Sequence, residues 1–592
     1  MKNYKKNLKI LEDGHVYSKD MEHDACGVGL IASTEGKKSR KVVEYGINAL
    51  KAVWHRGAVD ADGKTGDGAG IHLEIPSDFF AEKIELTGHN HDGSEICVGM
   101  IFLPRNNYQA QENARTLVES ELTKSNFSIY GWRQVPVNPK VLGEKANLTR
   151  PEITQVLFKH NNKDLDLVAK AHRFLPGGSL GNLTSDVIID KGLGSKITDL
   201  QGNEYIDYLL GSGPMITGHA HPEVIEAVKN QLENGTTFFA NNEPAILLAE
   251  EISNAMECID KVRFSSTGTE ATMYAMRAAR AFTKKDKILK FEGGFHGMND
   301  YALQSMMPAN PHQFPAPKSD SGGIPAAVSE TMLIAPFNDI EVTQSIIEEH
   351  KNELGGVIVE PFQRLLPPKP GFLEMLRQVT LEHEIPLIFD EVVTSFRFAF
   401  GGAQEFYGIT PDICSLGKAV AGGFPLTAVG GREDIMSHFD ASAVEAEEWM
   451  PQIGTLSGNP VAAVAGLATV KILKKPGTYE RMHEIGNIIK TGLENTLKDA
   501  SIKSKVVGVG VLFDVFFTDE EIVDYRSTLK ADKSKLMEFN RLLRENGIFK
   551  KDIIITISWI ILPIKGYIII IIIMKGVTIK QKTSGSGMLT KW

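Results

Sequence analysis

Three groups of residues in the second half of the chain have side chains suited to chemistry between an amine and an aldehyde. Lys418 follows the strand-like segment 413–416, Asp390 follows the apolar run 386–389, and the small-residue turn 266–269 precedes a helical pattern. A lysine amine forms a Schiff base with an aldehyde, a carboxylate pairs with a protonated ring nitrogen, and a helix N-terminus binds phosphate. Together these groups predict a pyridoxal 5'-phosphate site.

Lys418 and Asp390 each have a more ordinary interpretation. Most lysines are solvated surface residues, but the apolar segment before Lys418 and the pair Gly422 and Gly423 after it favour a desolvated amine. Such an amine has a lowered pKa and acts as a nucleophile and proton carrier. A carboxylate at the end of a strand buried on both faces, as predicted for Asp390, is costly unless it is paired.

The turn at Thr267, Gly268 and Thr269 is the predicted phosphate cup. It lies between a short strand-like segment and residues 270–282, which have helical periodicity. An ordinary helix cap explains the turn equally well when it is taken alone. The neighbouring lysine and aspartate motifs favour the phosphate interpretation.

In this order and with these neighbours, the motifs resemble those of the class III (fold type I) aminotransferases, and most of all glutamate-1-semialdehyde aminomutase and its relatives. The resemblance covers residues 167–551. It implies an α/β fold, with a large domain built on a mainly parallel sheet and a small C-terminal domain. It also implies pyridoxal phosphate held on Lys418 and an amino-group transfer, either as a transaminase or as an aminomutase-like enzyme.

The same resemblance assigns further cofactor contacts. Phe295 and His296 stand in the aromatic-His-Gly motif, and the family stacks this aromatic ring on the pyridine face, with Val392 on the opposite face. Glu360 precedes a proline at the pocket edge. Thr455 matches a threonine that reaches the phosphate of the neighbouring subunit's cofactor, which implies a homodimer.

Other segments depart from the aminomutase pattern. Residues 179–182 and Ser212 replace family residues near the substrate, the segment after Glu360 carries Gln363 and Arg364, and a proline-rich run replaces the mobile loop. The substrate is expected to be a small amino acid or amino-aldehyde. The amino donor, the acceptor and the choice between intermolecular and internal transfer stay open.

The front of the chain carries a different set of motifs. Residues 24–29 (DACGVG) and 54–63 (WHRGAVDADG) resemble the glutaminase domain of glutamate synthase, an α+β class II amidotransferase with an N-terminal nucleophile. By this resemblance Cys26 is the nucleophile, residues 1–25 are a propeptide, and residues 26–166 are a partial domain. The alternative for Cys26 is an inert buried cysteine.

This partial domain is expected to be inactive as a glutaminase. The family's oxyanion hole contains an Asn-Gly pair, and the two such pairs here, at 234–235 and 546–547, lie in the aminotransferase region. Loss of oxyanion donors costs on the order of 100- to 1000-fold in rate. Two alternatives to an aminotransferase remain open: a glutaminase centred on Cys26, and a catalytically dead chimeric or truncated chain that only binds cofactor.

Composition excludes several classes of protein. A chain of 592 residues is too long for one core, and 42% hydrophobic with 23% charged residues is typical of a soluble protein. A net charge of −10 argues against nucleic-acid binding. The four cysteines have no metal spacing, and His219 and His221 lack a third ligand, so no metal is expected. The N-terminus has no secretory apolar core, which favours the cytoplasm.

Residues 552–592 form an atypical isoleucine-rich tail. A membrane-spanning helix needs about 20 apolar residues, and Pro563 and Gly566 interrupt this one. The β-branched run 568–573 is instead typical of an aggregation-prone segment. Because no strand or closing helix is recognisable past Lys551, we interpret the tail as the product of a shifted reading frame.

Overall fold

The structure is a computed structural model that describes residues 31–32, 39–52, 62–65, 70–91, 93, 95–124, 127–160, 163–182, 187–550 and 555–556. Contacts divide the chain into two compact units, Met1–Asp186 and Val187–Trp592. Cys26, residues 1–25, which are predicted to be a propeptide, and most of the tail lie outside the described residues.

The helices of the described residues are α1 Arg40–Ala52, α2 Ser77–Glu85, α3 Tyr108–Lys124, α4 Glu144–Thr149, α5 Lys163–Phe174, α6 Pro222–Asn234, α7 Glu243–Ala255, α8 Gly268–Thr283, α9 Ala326–Glu330, α10 Ile340–His350, α11 Phe372–Glu382, α12 Gly402–Tyr407, α13 Glu433–Met436, α14 Pro460–Leu473, α15 Thr478–Asp499, α16 Tyr525–Thr528 and α17 Lys533–Glu545. Short 3-10 turns occur at Pro139–Val141, Pro176–Gly178, Lys418–Ala421 and Ser437–Phe439.

The strands are β1 Cys97–Leu103, β2 Phe127–Gln134, β3 Glu152–His160, β4 Ile189–Leu193, β5 Lys196–Asp199, β6 Glu204–Asp207, β7 Lys261–Ser265, β8 Lys287–Phe291, β9 Met332–Ala335, β10 Leu354–Val359, β11 Leu387–Glu391, β12 Ile413–Leu416, β13 Thr427–Gly431, β14 Lys505–Val509, β15 Leu512–Phe516, β16 Ile548–Phe549 and β17 Ile555–Thr556.

The first unit contains an antiparallel sheet with strand order β1-β3-β2. Helix α2 buries Phe80 and Ile84 in a small core with Tyr130 and Leu157 from the sheet. Helices beside an antiparallel sheet form the α+β arrangement that the sequence predicts for this region.

The second unit is organised around a seven-stranded sheet with order β7-β13-β12-β11-β10-β8-β9. Strands β12, β11, β10, β8 and β9 run parallel to one another, while β13 is antiparallel to both of its neighbours. Every residue of β10 and β11 is buried, because helices cover both faces of such a sheet. The mainly parallel α/β domain predicted from the sequence is confirmed.

Helix α8 packs unusually close to the sheet. Its buried face is made of small residues, among them Ala275, Ala278 and Ala279. A Cβ atom placed on Gly356 of β10 would lie 3.1 Å from the Ala279 Cβ. The glycine and the alanines therefore let the helix approach the sheet, which fixes the helix N-terminus beside the end of β7.

A smaller region is formed by residues from both ends of the second unit. Strands β16, β6, β5 and β4 make one sheet, and β14, β15 and β17 make another. Helices α15 and α17 contribute Ile485, Ile489 and Leu543 to a core shared with Phe513. The structure thus contains the small domain that the family resemblance predicts.

The end of this region differs from the sequence prediction in one respect. Strand β17 pairs antiparallel with β15, with Ile555 opposite Phe513 and Thr556 opposite Leu512. The sequence pattern suggested no strand beyond Lys551, and this expectation was wrong for residues 555–556. The pairing depends on an open edge of β15, which a local sequence pattern does not reveal.

In the part of the chain that is described, no helix is long and apolar enough to cross a membrane.

Candidate active site

Lys418 lies where β12 ends and a 3-10 turn begins. Its backbone has a φ of +50°, a left-handed conformation that is uncommon for a residue with a side chain. A Cβ atom on the preceding Gly417 would lie 3.1 Å from Val392 and 3.2 Å from Thr427. The tight turn and the close packing before it set the direction in which Lys418 leaves the sheet.

The Lys418 side chain is partly buried and passes close to Gly213, where an added Cβ would lie 3.2 Å from the lysine Cδ. Burial lowers the pKa of its amine. The carboxylates of Asp390 and Glu360 oppose this shift, whereas the guanidinium of Arg364 adds to it. The amine has no hydrogen-bond or ion-pair partner among the described residues, so it is available as a nucleophile.

Asp390 is buried on β11 and is held by three donors. Ser415 is its direct neighbour on β12, and the serine hydroxyl donates to Oδ1 at 2.8 Å. The Val392 amide donates to the same oxygen at 3.2 Å. His296 bonds to Oδ2 through its Nδ1 atom at 2.8 Å. These contacts fix the plane of the carboxylate.

His296 is itself fully enclosed. Burial lowers its pKa, with the Asp390 hydrogen bond acting in the opposite direction. In the neutral ring Nδ1 donates to Asp390, and Nε2 is buried with no hydrogen-bond partner among the described residues. We therefore assign His296 a positioning role behind Asp390.

Glu360 and Lys290 hold the loop that carries Phe295. The Phe295 amide donates to the Glu360 carboxylate at 2.8 Å, and burial raises the pKa of Glu360 to about 7. The buried amine of Lys290 donates to the carbonyl oxygens of Gly294, Ala302 and Gln304 at 3.1, 2.9 and 2.6 Å. The loop is thus anchored at both ends by buried polar groups.

The turn before α8 has the donors required by a phosphate. The Glu270 carboxylate accepts the Ser266 and Thr267 amides at 2.9 and 2.8 Å, and the Thr267 hydroxyl accepts the Glu270 amide. The amides of Gly268 and Thr269 have no acceptor among the described residues. Two free N–H groups at the positive end of a helix form an anion site.

Gly268 brings the turn close to Val392. A Cβ atom there would lie 3.3 Å from Val392 Cγ1, which in turn contacts the Gly417 position next to Lys418. A phosphate cup, a valine, a lysine amine and a buried carboxylate therefore belong to one site. The donors and acceptors match the groups of pyridoxal phosphate.

Most of the residues predicted from the sequence come together here, but two do not. Thr455 lies in an exposed turn, and Cys26 falls outside the described residues. Sequence reasoning missed Ser415, although it is the hydroxyl residue of an otherwise apolar strand. It also missed Gly213 and Lys290, since their roles depend on segments that are distant in sequence.

Comparisons with known proteins agree with this geometry. Residues 180–558 match the family model "Aminotransferase class-III", and residues 26–174 match "Glutamine amidotransferases class-II". A glutamate-1-semialdehyde 2,1-aminomutase of Thermodesulfovibrio yellowstonii is 39% identical over 397 residues, which is 65% of this chain and 91% of that protein.

Solved structures give the same result. An omega-transaminase from Sphaerobacter thermophilus is 34% identical with a TM-score of 0.67, covering 71% of this chain and 98% of that one. A transaminase with PLP bound is 30% identical with a TM-score of 0.65 and the same coverage. The chain belongs to the class III aminotransferases. It is a PLP-dependent enzyme of amino-group transfer, preceded by a class II glutamine amidotransferase domain.

The lowered pKa of Lys418 leads to a first prediction. In cofactor-free protein, an amine with a lowered pKa is neutral at a lower pH, so Lys418 should be acylated at pH values where lysines with pKa near ~10.4 are still protonated. Lys503 is the control, because its hydrogen bond to Asp519 raises its pKa. The rates of both are measured against pH by mass spectrometry. If the acylation rates of Lys418 and Lys503 depended on pH in the same way, the lowered pKa of Lys418 would be contradicted.

Proposed function

We propose that the chain transfers an amino group to or from a small amino acid or amino-aldehyde, with Lys418 as the residue that binds the cofactor aldehyde. The observation that carries this proposal is the Lys418 amine, which is desolvated, unpaired among the described residues and within electrostatic reach of Asp390 and Glu360. When bound, pyridoxal phosphate supplies an electron sink for negative charge developing on the substrate carbon.

Asp390 acts through the cofactor ring in this proposal. A carboxylate fixed by Ser415, Val392 and His296 retains further acceptor capacity, since each of its oxygens has two lone pairs. With the cofactor bound, this carboxylate would accept the hydrogen bond of the protonated ring nitrogen. The three donors keep the carboxylate in one orientation, toward which a bound ring nitrogen could be directed.

Other residues orient the cofactor. The free amides of Gly268 and Thr269 bind its phosphate, and Thr267 positions them by capping the helix. Phe295 and Val392 would cover the two faces of the ring, as the family resemblance implies. With the ring fixed, Lys418 would be placed to take a proton from the substrate carbon and to return it elsewhere on the transferred group, since a lowered pKa leaves more of the amine in its neutral, basic form.

Replacement of Lys418 by Ala tests the assignment. Wild-type protein treated with pyridoxal phosphate and then borohydride should carry a reduced cofactor adduct on the peptide that contains Lys418, identified by mass spectrometry. The variant should lack this adduct and transfer amino groups at least about 1000-fold more slowly, since it lacks the proton carrier. Lys503→Ala is the control. An adduct in Lys418→Ala at another site lysine would refute the assignment.

A homodimer is the second part of the proposal. Thr455 lies in an exposed turn, and the Gly458 carbonyl of this turn accepts the Asn242 side chain at 2.9 Å, which brings the start of α7 beside it. Large apolar side chains are exposed around this junction, including Phe239 at 71% and Ile453 at 78%. Such a surface is typical of a buried interface, and supports a partner whose cofactor phosphate Thr455 reaches.

Hybrid dimers test this arrangement. Homodimers of Lys418→Ala and of Thr455→Val should both be impaired, the second through cofactor binding that is about 10-fold weaker or more. If Thr455 serves the neighbouring site, a hybrid of the two has one site with both residues intact, so co-expression should restore activity and tight cofactor binding. Failure of tagged, purified hybrids to recover would place Thr455 outside the partner's site.

Glutamine hydrolysis at Cys26 is the second candidate function, because the match to the amidotransferase family begins at this residue. From the absence of a suitable Asn-Gly pair in that region, we expect no ammonia release above background. The test compares ammonia production from glutamine by wild-type protein and Cys26→Ala. Release that depends on Cys26 would show an active glutaminase and overturn the expectation.

We propose a cytoplasmic location. Cys258 and Cys414 are buried free thiols whose sulfur atoms lie 3.5 Å apart. Closely spaced free thiols persist in reducing compartments.

A further inference from the structure

A short hairpin next to Glu360 carries an arginine that the roles above do not use. Gln363 and Leu366 form an isolated bridge, with their amides donating to each other's carbonyls at 3.1 and 2.9 Å. The Gln363 side chain donates to the Glu292 carbonyl at 2.7 Å. Both bridge residues are buried, so the hairpin is a fixed support. Arg364 occupies its first turn position, with a φ of +60°.

The Arg364 guanidinium lies in the site. It stands over the Phe295 ring at 4.9 Å from the centroid and is partly exposed. Its charge is close enough to lower the pKa of both Glu360 and Lys418, in each case as a smaller effect than burial. The guanidinium therefore lies over Phe295, within electrostatic range of Glu360 and of the lysine amine.

Arg364 differs from the other two arginines near the site in having no partner. The Arg397 guanidinium donates to the Gly213 and Val393 carbonyls, and Arg526 forms two hydrogen bonds with Glu292 at 2.7 and 3.0 Å. Arg364 makes no hydrogen bond or ion pair with any described residue. All five of its N–H donors are available to a ligand.

The backbone conformation of Arg364 supports a role in ligand contact. A left-handed φ costs a side-chain-bearing residue more free energy than a partly exposed cation–π contact returns. Glycine would fit the turn without strain. A strained arginine aimed at a binding site is the pattern expected of a residue retained for ligand contact.

We propose that Arg364 binds the carboxylate of the substrate, so that the enzyme selects amino acids or oxo-acids over amines without a carboxylate. A planar guanidinium matches a carboxylate with two parallel hydrogen bonds. The inference rests on the proposed function, since it places the substrate between Phe295 and Lys418. It makes Arg364 a specificity-determining residue and leaves proton transfer to Lys418.

Two variants of the full-length holoenzyme test the proposal. Arg364→Gln removes the charge and keeps a side chain of similar size. Arg364→Gly also removes the charge, and glycine adopts the positive φ of this position without strain, so this variant should fold even if the glutamine variant does not. Arg364→Lys retains the positive charge but lacks the planar guanidinium that can form two parallel hydrogen bonds with a carboxylate. Arg541→Gln, on the surface helix α17, is the matched control because its salt bridges to Glu538 and Glu545 are exposed.

The first readout is specificity. The kcat/KM for the best amino-acid donor in a panel should fall about 10- to 100-fold in Arg364→Gln and Arg364→Gly, mainly through KM, as expected for loss of hydrogen bonds to a charged group. The kcat/KM for 1-phenylethylamine, which has no carboxylate, should fall far less than that for the amino acid. Arg364→Lys should lie between the variants and wild type. Equal losses for both donors, or no loss for either, would overturn the proposal.

The second readout is binding without turnover. Calorimetric titration of the holoenzyme with succinate should show binding that weakens about 10- to 100-fold in the same two variants. Affinity for pyridoxal phosphate should stay unchanged, and a parallel loss of that affinity would instead assign Arg364 to the cofactor. If wild-type protein transfers no amino group from any donor, the proposed function fails, and the succinate result still decides whether Arg364 binds carboxylates.

Discussion

A carboxylate buried at the end of a central parallel strand is the constraint on which the site depends. Asp390 is covered on all sides, and burying such a charge is tolerated only with hydrogen-bond donors around it. Ser415 comes from the next strand, His296 from the loop after β8, and the Val392 amide from the chain that follows. Each donor comes from a different segment, so the one carboxylate holds three segments together at the place proposed for the ring nitrogen of the cofactor.

Close packing provides the second requirement. Gly213, Gly268 and Gly417 lie where an added Cβ would meet Lys418, Val392 or Thr427 at 3.1–3.3 Å. Because these residues lack a Cβ atom, the backbone approaches Lys418, Val392 and Thr427 closely. Because the packing is dense, water has little access to the lysine amine, and its pKa falls. Packing lowers the pKa of Lys418, and the nearby carboxylates of Asp390 and Glu360 oppose this shift without cancelling it.

The amidotransferase domain and the aminotransferase domain use nitrogen differently. A glutaminase releases ammonia, whereas a PLP-dependent transferase takes nitrogen from an amine bound in its own site. The residues proposed to hold the cofactor lie within residues 187–550. A donor bound through its carboxylate at Arg364, as proposed, would present its own amino group to that site without free ammonia.

The sequence by itself determined the class of the protein, because the chemistry requires particular residue types in a fixed order. A local sequence pattern, made of an apolar strand, glycines or small residues, identifies each of three features: Lys418, Asp390 and the turn at 267–269. Only the tertiary structure decided which partners they have. Ser415 meets Asp390 through strand register, and Gly213 meets Lys418 across some two hundred positions of the sequence. The unpaired state of Arg364 likewise depends on which charges fold near it, and such distances are set by packing rather than by local pattern.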